Sequence, residues 1–258
     1  MHFPIADVII NPLLLAGIGF VVGVLGGFFG VGGGFIAAPL MFWMGVPMNF
    51  VIGTDLAHMT GKSMVAARRH RALGHVDIKL GLLMVVGTVL GVEGGARTIE
   101  ALEHAGAIDL VIGVSYVFIL LTISGFTAWE SLQALRMMST DQLGAQEAVG
   151  FEGVRKRVHG LRIPPMIALP GSGIGSISLW VVLGVGLLTG FLAGTLGVGG
   201  GFVRVPMLVY VLGIPTHVAV GTDLFEIVIS AGFGTLTHAM KGNVDVLIAF
   251  TKHTRAGL

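Results

Sequence analysis

Long uncharged stretches alternate with short charged ones along this chain. A membrane-spanning helix needs about 20 predominantly apolar residues, and several uncharged stretches reach that length. These stretches are Val8–Thr54, Leu110–Trp129, Ile163–Val203 and Val205–Thr222. The helices that we predict within them are Leu13–Phe29, Leu110–Trp129 and Leu179–Leu196. The pattern therefore predicts an all-α, polytopic integral membrane protein.

Three weaker apolar segments complete this pattern. Leu80–Val92 has 13 uncharged residues between Lys79 and Glu93. We predict that it also spans the membrane, because long charged side chains at its ends can reach the lipid headgroups. Val51–Ala67 and Ala219–Met240 are apolar segments that contain charged residues.

Composition excludes several function classes. Of 258 residues, 15 are basic and 14 acidic, and 54% are hydrophobic. A water-soluble surface needs roughly 25–35% charged residues, so a soluble enzyme and a disordered chain are excluded. A net charge of +1 gives no field for a nucleic acid. The absence of Cys excludes disulfides, thiolate metal sites and a cysteine nucleophile, and we expect no cofactor.

The second half of the chain repeats the first. Gly17–Met44 aligns with Gly184–Val211, and Gly45–Ile78 aligns with Gly213–Val246, with 22 identities over 62 positions. The shared motifs are GVGGGF, a following proline, G-x-P, GTDL and G-x-V-D. Internal repeats of this kind are the sequence mark of many secondary transporters.

Basic residues predict the orientation of the two copies. Segments 68–75 and 130–178 are rich in Arg and Lys, whereas 93–109 carries four acidic residues and one Arg. The positive-inside rule places the first two segments in the cytoplasm and the third, as a loop, outside. An odd number of crossings then separates the starts of the copies. We therefore predict inverted-topology repeats in a multi-pass protein of the cell inner membrane.

The repeat divides the chain into three parts. We predict a first transmembrane repeat at 1–129, a cytoplasmic linker at 130–177 and a second transmembrane repeat at 178–258. The start of the linker is expected to extend the preceding helix. Its basic stretch 154–162 is expected to contact anionic lipid, and 162–178 reads as irregular.

Each repeat contains three consecutive glycines. Glycine costs about 1 kcal/mol relative to alanine inside a helix, so each triplet predicts a helix break, ahead of segments that open at Phe35 and Phe202. Helix N-termini bind anions through their N–H groups and dipole. We therefore predict two cradles for a small anion, with close helix packing as the alternative. The cradle residues are Gly32, Gly33, Gly34, Gly199, Gly200 and Gly201.

Ionisable residues inside the apolar segments are further candidates. Asp55, His58 and Lys62 share one helix face, and the second copy has Asp223 and Glu226 at the corresponding positions. A charge at the membrane centre costs roughly 2.5–3.5 kcal/mol and usually marks a transport path. The candidates for proton coupling are His58, Lys62 and Glu226. The substrate-binding candidates here are Thr54, Asp55, Thr222 and Asp223.

Structural roles remain open for the same residues. Asp55 and Asp223 follow G-x-P turns, so both are alternatively helix caps near the membrane surface. Lys62 is alternatively a side chain that reaches toward the helix end beside Arg68.

Arg204 occupies the position that Ala37 has in the first copy. A buried Arg is costly unless it is paired, so we predict Asp223 or Glu226 as its partner, or an anionic substrate. Arg204 joins the substrate-binding candidates. The histidines lack a metal-ligand spacing such as H-E-x-x-H, and no metal site is predicted.

With these motifs, the chain resembles the sulfite exporter TauE/SafE family of bacterial permeases. The resemblance is carried by GVGGGFIAAPLMFWMGVP with GTDL in the first copy and GVGGGFVRVPMLVYVLGIP with GTDL in the second. It implies an inner-membrane permease for a small sulfur-containing anion such as sulfite or an organosulfonate. The partners it implies are that anion and the bilayer, with no nucleic acid; a homo-oligomer is compatible with it.

One departure from the family pattern keeps a second function open. The first copy continues through 91–129, whereas the second stops at the equivalent of Leu90, and its last residues include Lys252 and Arg255. We therefore expect a truncated second repeat. The alternative to an anion permease is a non-transporting membrane protein or relic of one. A membrane-embedded enzyme is disfavoured, because no catalytic constellation is present.

Overall fold

The computed structural model describes residues 2–3, 8–9, 12–29, 34–138, 152–197 and 200–244. Most of these residues are helical, which confirms the all-α class. The helices are α1 (Pro12–Phe29), α2 (Gly34–Trp43), α3 (Met48–Ala72), α4 (Ile78–His104), α5 (Ile108–Met138), α6 (Glu152–Gly160), α7 (Leu179–Leu196), α8 (Gly201–Pro206) and α9 (Thr216–Met240). Two short antiparallel pairs accompany them, β1 (His2–Phe3) with β2 (Val8–Ile9) and β3 (Met166–Leu169) with β4 (Ile174–Ser178).

Within the described residues, three helices are long and apolar enough to cross a membrane: α4, α7 and α9. The apolar stretches Leu13–Val24 of α1 and Ile108–Thr122 of α5 are shorter. Large apolar side chains are exposed on the outer faces of α1, α4, α5 and α7. Exposed apolar surface on this scale is unfavourable in water and favourable in lipid, so the structure is that of a multi-pass membrane protein.

The predicted loop at 93–109 is wrong, because α4 continues through it to His104 and only Ala105–Ala107 joins α4 to α5. The charges that suggested a loop lie on the last turns of this helix. Arg97 Nε donates to Glu93 Oε1 at 2.8 Å. Lys241 Nζ donates to Glu100 Oε2 at 2.6 Å.

The described part of the linker contains more regular structure than its sequence suggests. Its beginning extends α5 to Met138, as predicted, whereas the expected irregular stretch forms the β3–β4 hairpin. This hairpin is tied to the start of α4, because Ser172 Oγ donates to Asp77 Oδ2 at 2.7 Å and Lys79 Nζ donates to the Ala168 carbonyl at 2.7 Å. These long-range bonds have no local sequence signature.

The two copies have the same local structure in their best-described part. Helices α3 and α9 are both 25 residues long, and their N-caps are Pro47 and Pro215. Both end in a turn whose glycine, Gly74 or Gly242, has a φ of 75°. Only glycine adopts this left-handed conformation without strain, so the same residue type closes the same turn twice.

The predicted helix break of the second copy is present, whereas residues 30–33 of the first copy fall outside the described residues. Helix α1 ends at Phe29 and α2 begins at Gly34; α7 ends at Leu196 and α8 begins at Gly201. In each copy the next helix thus begins on the last glycine of the triplet, one residue before the predicted phenylalanine. A π-helical turn, Met207–Val211, follows α8.

The parallel helices α4 and α7 form the most extensive helix contact in the described part of the chain. A methyl group on Gly190 would overlap the carbonyl of Thr88, and one on Gly91 the carbonyl of Leu187. Small residues at a four-residue spacing let membrane helices approach this closely. The glycines of this contact are Gly87, Gly91 and Gly95 on α4 and Gly186, Gly190 and Gly194 on α7.

Helices α3 and α9 pack together in antiparallel directions. Gly53, near the start of α3, meets the carbonyl of Asn243 after α9, and Gly221, near the start of α9, meets the carbonyl of His75 after α3. Between these ends, Gly232 lies beside the side chain of Thr60. The contact is reciprocal, because the glycines and the turn residues occupy corresponding positions in the two copies.

The α4–α7 contact predicts that Gly190→Ala lowers the thermal unfolding temperature in detergent. Overpacking costs about 1–3 kcal/mol, which exceeds the roughly 1 kcal/mol that alanine gains over glycine in a helix. Gly113→Ala on α5 is the matched control, because a Cβ there meets nothing within 4 Å. An equal or higher unfolding temperature for Gly190→Ala would contradict this account of the packing.

Candidate functional site

A fully buried ionic cluster lies where α8 meets α9. Arg204 Nη1 donates to Asp223 Oδ1 at 3.1 Å and to Glu226 Oε2. Arg204 Nε donates to Thr189 Oγ1 at 3.0 Å. Ser230 Oγ donates to Glu226 Oε2 at 3.1 Å. Arg204 thus bonds to both of the carboxylates that the sequence suggested as alternative partners.

Three helices bring this cluster together. Asp223, Glu226 and Ser230 are spaced i, i+3 and i+7, so they lie on one face of α9. Thr189 comes from the middle of α7. Arg204 reaches both helices because α8 starts immediately after Gly200, whose φ of 74° turns the chain back toward α7. A methyl group on Gly200 would lie 2.6 Å from the Thr189 carbonyl, so glycine is required at this position.

The cluster carries unequal charge. With all three groups ionised, one guanidinium (+1) and two carboxylates (−2) give a net charge of −1. Three buried atoms of the cluster lack a hydrogen-bond partner among the described residues: Arg204 Nη2, Asp223 Oδ2 and Glu226 Oε1. Buried polar groups are normally hydrogen-bonded. The site therefore has one donor and two acceptors available for a ligand or for protons.

Helix capping is excluded for the two aspartates. Asp55 and Asp223 are each the eighth residue of their helix, because α3 begins at Met48 and α9 at Thr216. Both are fully buried. Their carboxylates lie well inside the helices, so the capping alternative is wrong.

The first copy holds a second, smaller group of ionisable residues on α3. His58 Nδ1 lies 3.9 Å from Asp55 Oδ1, and both side chains are buried. Lys62 corresponds to Ser230, and the pairing of Thr60 with Gly232 puts these two positions at one level of the antiparallel helices. The ammonium nitrogen of Lys62 is buried, and its role in proton coupling stays a prediction.

The threonines of the two GTDL motifs are buried beside the aspartates. Thr222 Oγ1 accepts a hydrogen bond from the backbone N–H of Asp77 at 2.9 Å. This hydroxyl therefore fastens α9 to the turn before α4. Thr54 is its equivalent in α3 and is fully buried; its role in substrate binding stays a prediction, as does that of Thr222.

The predicted cradle glycines are only partly covered by the described residues. Gly34 and Gly201 are the first residues of α2 and α8, and Gly200 is the N-cap of α8. The carbonyl of Gly200 accepts from the N–H groups of Val203 and Arg204. The predictions for Gly32, Gly33 and Gly199 fall outside the described residues, and so does the prediction for the tail after residue 244.

The sequence analysis missed two polar side chains near the second break. Thr189 replaces Val22 of the first copy, just as Arg204 replaces Ala37. A search for positions that are polar in one copy and apolar in the other would have found Thr189. Tyr116 of α5 is buried, and its hydroxyl donates to the carbonyl of Leu196 at the end of α7. Comparison of the copies could not find Tyr116, because the aligned part of the repeats ends before α5.

His70 and His75 lie in and just after the last turn of α3, and both are half-buried. The ring of His75 is 5.8 Å from that of His70 and 4.8 Å from that of His217, centroid to centroid. No group of three or more residues suited to hold a metal occurs within the described part of the chain.

Comparison with known proteins agrees with this architecture. The family model for the sulfite exporter TauE/SafE matches residues 15–257. The probable membrane transporter protein YunE of Bacillus subtilis is 24% identical over 245 residues, which cover 92% of this chain and 81% of YunE. The probable membrane transporter protein YdhB of the same organism is 24% identical over 232 residues, 89% of this chain and 79% of YdhB.

A third relative comes from an archaeon. The probable membrane transporter protein MJ0441 of Methanocaldococcus jannaschii is 24% identical over 204 residues, which cover 76% of this chain and 61% of that protein. No solved structure matches the chain. Because the family model matches almost the whole length of a helical, multi-pass membrane protein, this chain belongs to the sulfite exporter TauE/SafE family of membrane permeases.

Proposed function

We propose that this protein is a proton-coupled permease of the cell inner membrane for a small sulfur-containing anion, such as sulfite or an organosulfonate. The observation that carries the proposal is the fully buried Arg204 held between Asp223 and Glu226. Buried ionisable groups inside membrane proteins usually line a substrate or proton path. A protein without transport has no evident need for this costly arrangement.

We also propose that the two copies have inverted topology. The antiparallel packing of α3 and α9, which occupy corresponding positions in the copies, supports this arrangement. Inverted repeats place the substrate site near the middle of the membrane, at the interface between the copies. The Arg204 cluster and the Asp55–His58 pair both lie on this α3–α9 pair or against it.

The anion site that we propose is centred on Arg204. Its Nη2 is a buried donor without a hydrogen-bond partner in the described residues. A guanidinium binds an oxyanion through two parallel N–H groups, which suits the oxygens of sulfite or of a sulfonate. Gly200 and Gly201 start α8 next to Thr189, so the positive end of that helix lies on the same side. Gly32–Gly34 would form the equivalent part of the first copy.

Proton coupling follows from the charge of the cluster. A monovalent anion would change its net charge from −1 to −2, and an uncompensated charge in a buried site is very costly. One proton on a carboxylate offsets the added anion and frees guanidinium N–H groups to bind it. Glu226 is the proposed carrier, because its Oε1 has no hydrogen-bond partner in the described residues. The Asp55–His58 pair and Lys62 are the corresponding candidates in the first copy.

This proposal predicts that the chain in proteoliposomes takes up labelled sulfite faster than empty liposomes do. An imposed pH gradient is expected to change the rate, because the anion and the proton move together. Arg204→Gln is expected to lower uptake by about tenfold or more, the loss that removal of one charged binding contact typically causes. Absence of uptake for sulfite and for several sulfonates would instead favour a non-transporting protein.

A second prediction concerns Glu226. Glu226→Gln keeps the shape of the side chain but binds no proton, so uptake is expected to lose its dependence on pH. Glu93→Gln is the matched control, because Glu93 lies at the end of α4 and pairs with Arg97 rather than with the cluster. An unchanged pH profile for Glu226→Gln, measured with the same protein orientation, would contradict the role of Glu226.

A further inference from the structure

The reciprocal contacts between α3 and α9 form two joints, one at each end of this helix pair. In the first, which we call the histidine joint, the carbonyl of His75 presses against Gly221. In the second, the asparagine joint, the carbonyl of Asn243 presses against Gly53. A Cβ on either glycine would overlap that carbonyl. Each joint closes without a gap because one partner lacks a side chain.

Side chains also meet at each of the two joints, but they differ in chemistry between the joints. The rings of His75 and His217 meet edge to face, with centroids 4.8 Å apart. Asn49 Nδ2 donates to Asn243 Oδ1 at 3.3 Å. His217 and Asn49 are equivalent positions, and so are His75 and Asn243. The same contact is therefore built twice, once from histidines and once from asparagines.

Each joint lies next to a buried acid of the candidate site. Gly221 is two residues before Asp223, and Gly53 is two residues before Asp55. Each joint therefore lies between its acid and the nearer end of the α3–α9 pair. Both joints are closed in this structure, and the middle of the pair is held separately, for example by the contact of Gly232 with Thr60.

We propose that the histidine and asparagine joints are the two gates of the transport path, which open in alternation. This inference rests on the proposed permease function. Among the described residues, hydrogen bonds join the helices at each gate: at the histidine joint Thr222 accepts from Asp77 N–H, and at the asparagine joint Asn49 bonds to Asn243. Exchanged hydrogen bonds contribute little net free energy, so one end can separate while the middle contact stays as the pivot.

The two gates are fastened by different parts of the chain. At the histidine gate, Ser172 of the linker donates to Asp77, whose own N–H bonds to Thr222 of α9. The asparagine gate is fastened to the end of α4 instead, because Asn49 Nδ2 also donates to Glu103 Oε1 at 3.0 Å. The linker hairpin is therefore placed to act on the histidine gate alone.

The absence of Cys from the chain makes a crosslinking test direct. The first gate pair combines His75→Cys with His217→Cys, and the second combines Asn49→Cys with Asn243→Cys. Each pair is joined by a short bifunctional thiol reagent. Ser230→Cys, at the level where α3 and α9 cross, is the reporter, labelled by a membrane-impermeant maleimide after crosslinking has consumed the gate thiols. Vesicles of both orientations allow labelling from either end.

Crosslinking one gate is expected to slow reporter labelling from that end by about tenfold or more, because it lowers the population of the state in which that gate is open. Labelling from the other end is expected to stay intact. Crosslinking the other gate is expected to slow labelling from the opposite end only. Variants with one gate cysteine and the reporter, treated identically, are the controls. Labelling that continues unchanged from the crosslinked end, for both pairs, would overturn the gate assignment.

The glycines allow the opposite test without a crosslink. Gly221→Ala is expected to hold the histidine gate apart and to speed reporter labelling from that end only, whereas Gly53→Ala is expected to do so from the other end. Gly113→Ala is the control, since its Cβ meets nothing within 4 Å. Equal labelling of Gly221→Ala from both ends, in a protein that stays monodisperse in detergent, would contradict the proposal.

Labelling separates this inference from the proposed substrate. Gated labelling without uptake of sulfite or sulfonates would support the gates and reject the proposed cargo. Uptake that persists with either gate crosslinked would reject the gates and keep the permease.

Discussion

Direct contact between helix backbones, with glycine on at least one side, is the constraint on which this structure depends. Helices α4 and α7 touch along a glycine face on each of them, and α3 and α9 close on each other through Gly53 and Gly221. Lipid is as apolar as a leucine side chain, so burial of apolar surface gives membrane helices little reason to associate. Van der Waals contact between backbones supplies the attraction instead, and any side chain at these glycines would weaken it.

Close helix packing also makes the buried charges tolerable. Arg204, Asp223 and Glu226 are enclosed by α7, α8 and α9, where the bond that Arg204 donates to Thr189 and the bond that Ser230 donates to Glu226 partly replace water. A buried ion pair is seldom a net source of stability, because desolvation offsets the attraction between its members. The cluster is therefore better explained by function than by folding. A site with one more acid than base binds a proton or a cation readily, and it accepts an anion when a proton comes with it.

Local patterns predicted the helices well, because the length of an apolar run and a glycine triplet act where they occur. The bounds of α7 and the helix break before α8 follow from such patterns, and the acidic partners of Arg204 were predicted from the cost of burying an unpaired charge. Contacts between distant segments could not be predicted in this way. The bond from Ser172 to Asp77, the approach of Gly190 to Thr88 and the position of Thr189 beside Arg204 depend on which helices meet. No short stretch of the sequence predicts which helices pack together.

The differences between the copies are as informative as their likeness. A protein with two identical inverted halves has two end states of equal energy, since exchange of the halves converts one state into the other. Here the second copy has Glu226 where the first has His58, and the two joints are made of histidine and asparagine. The two ends therefore differ in chemistry: one joint is closed by an edge-to-face contact between two imidazole rings, and the other by a hydrogen bond between two side-chain amides. A duplicated scaffold thus supplies two equivalent joints, and the substitutions between the copies remove the equality of the two end states.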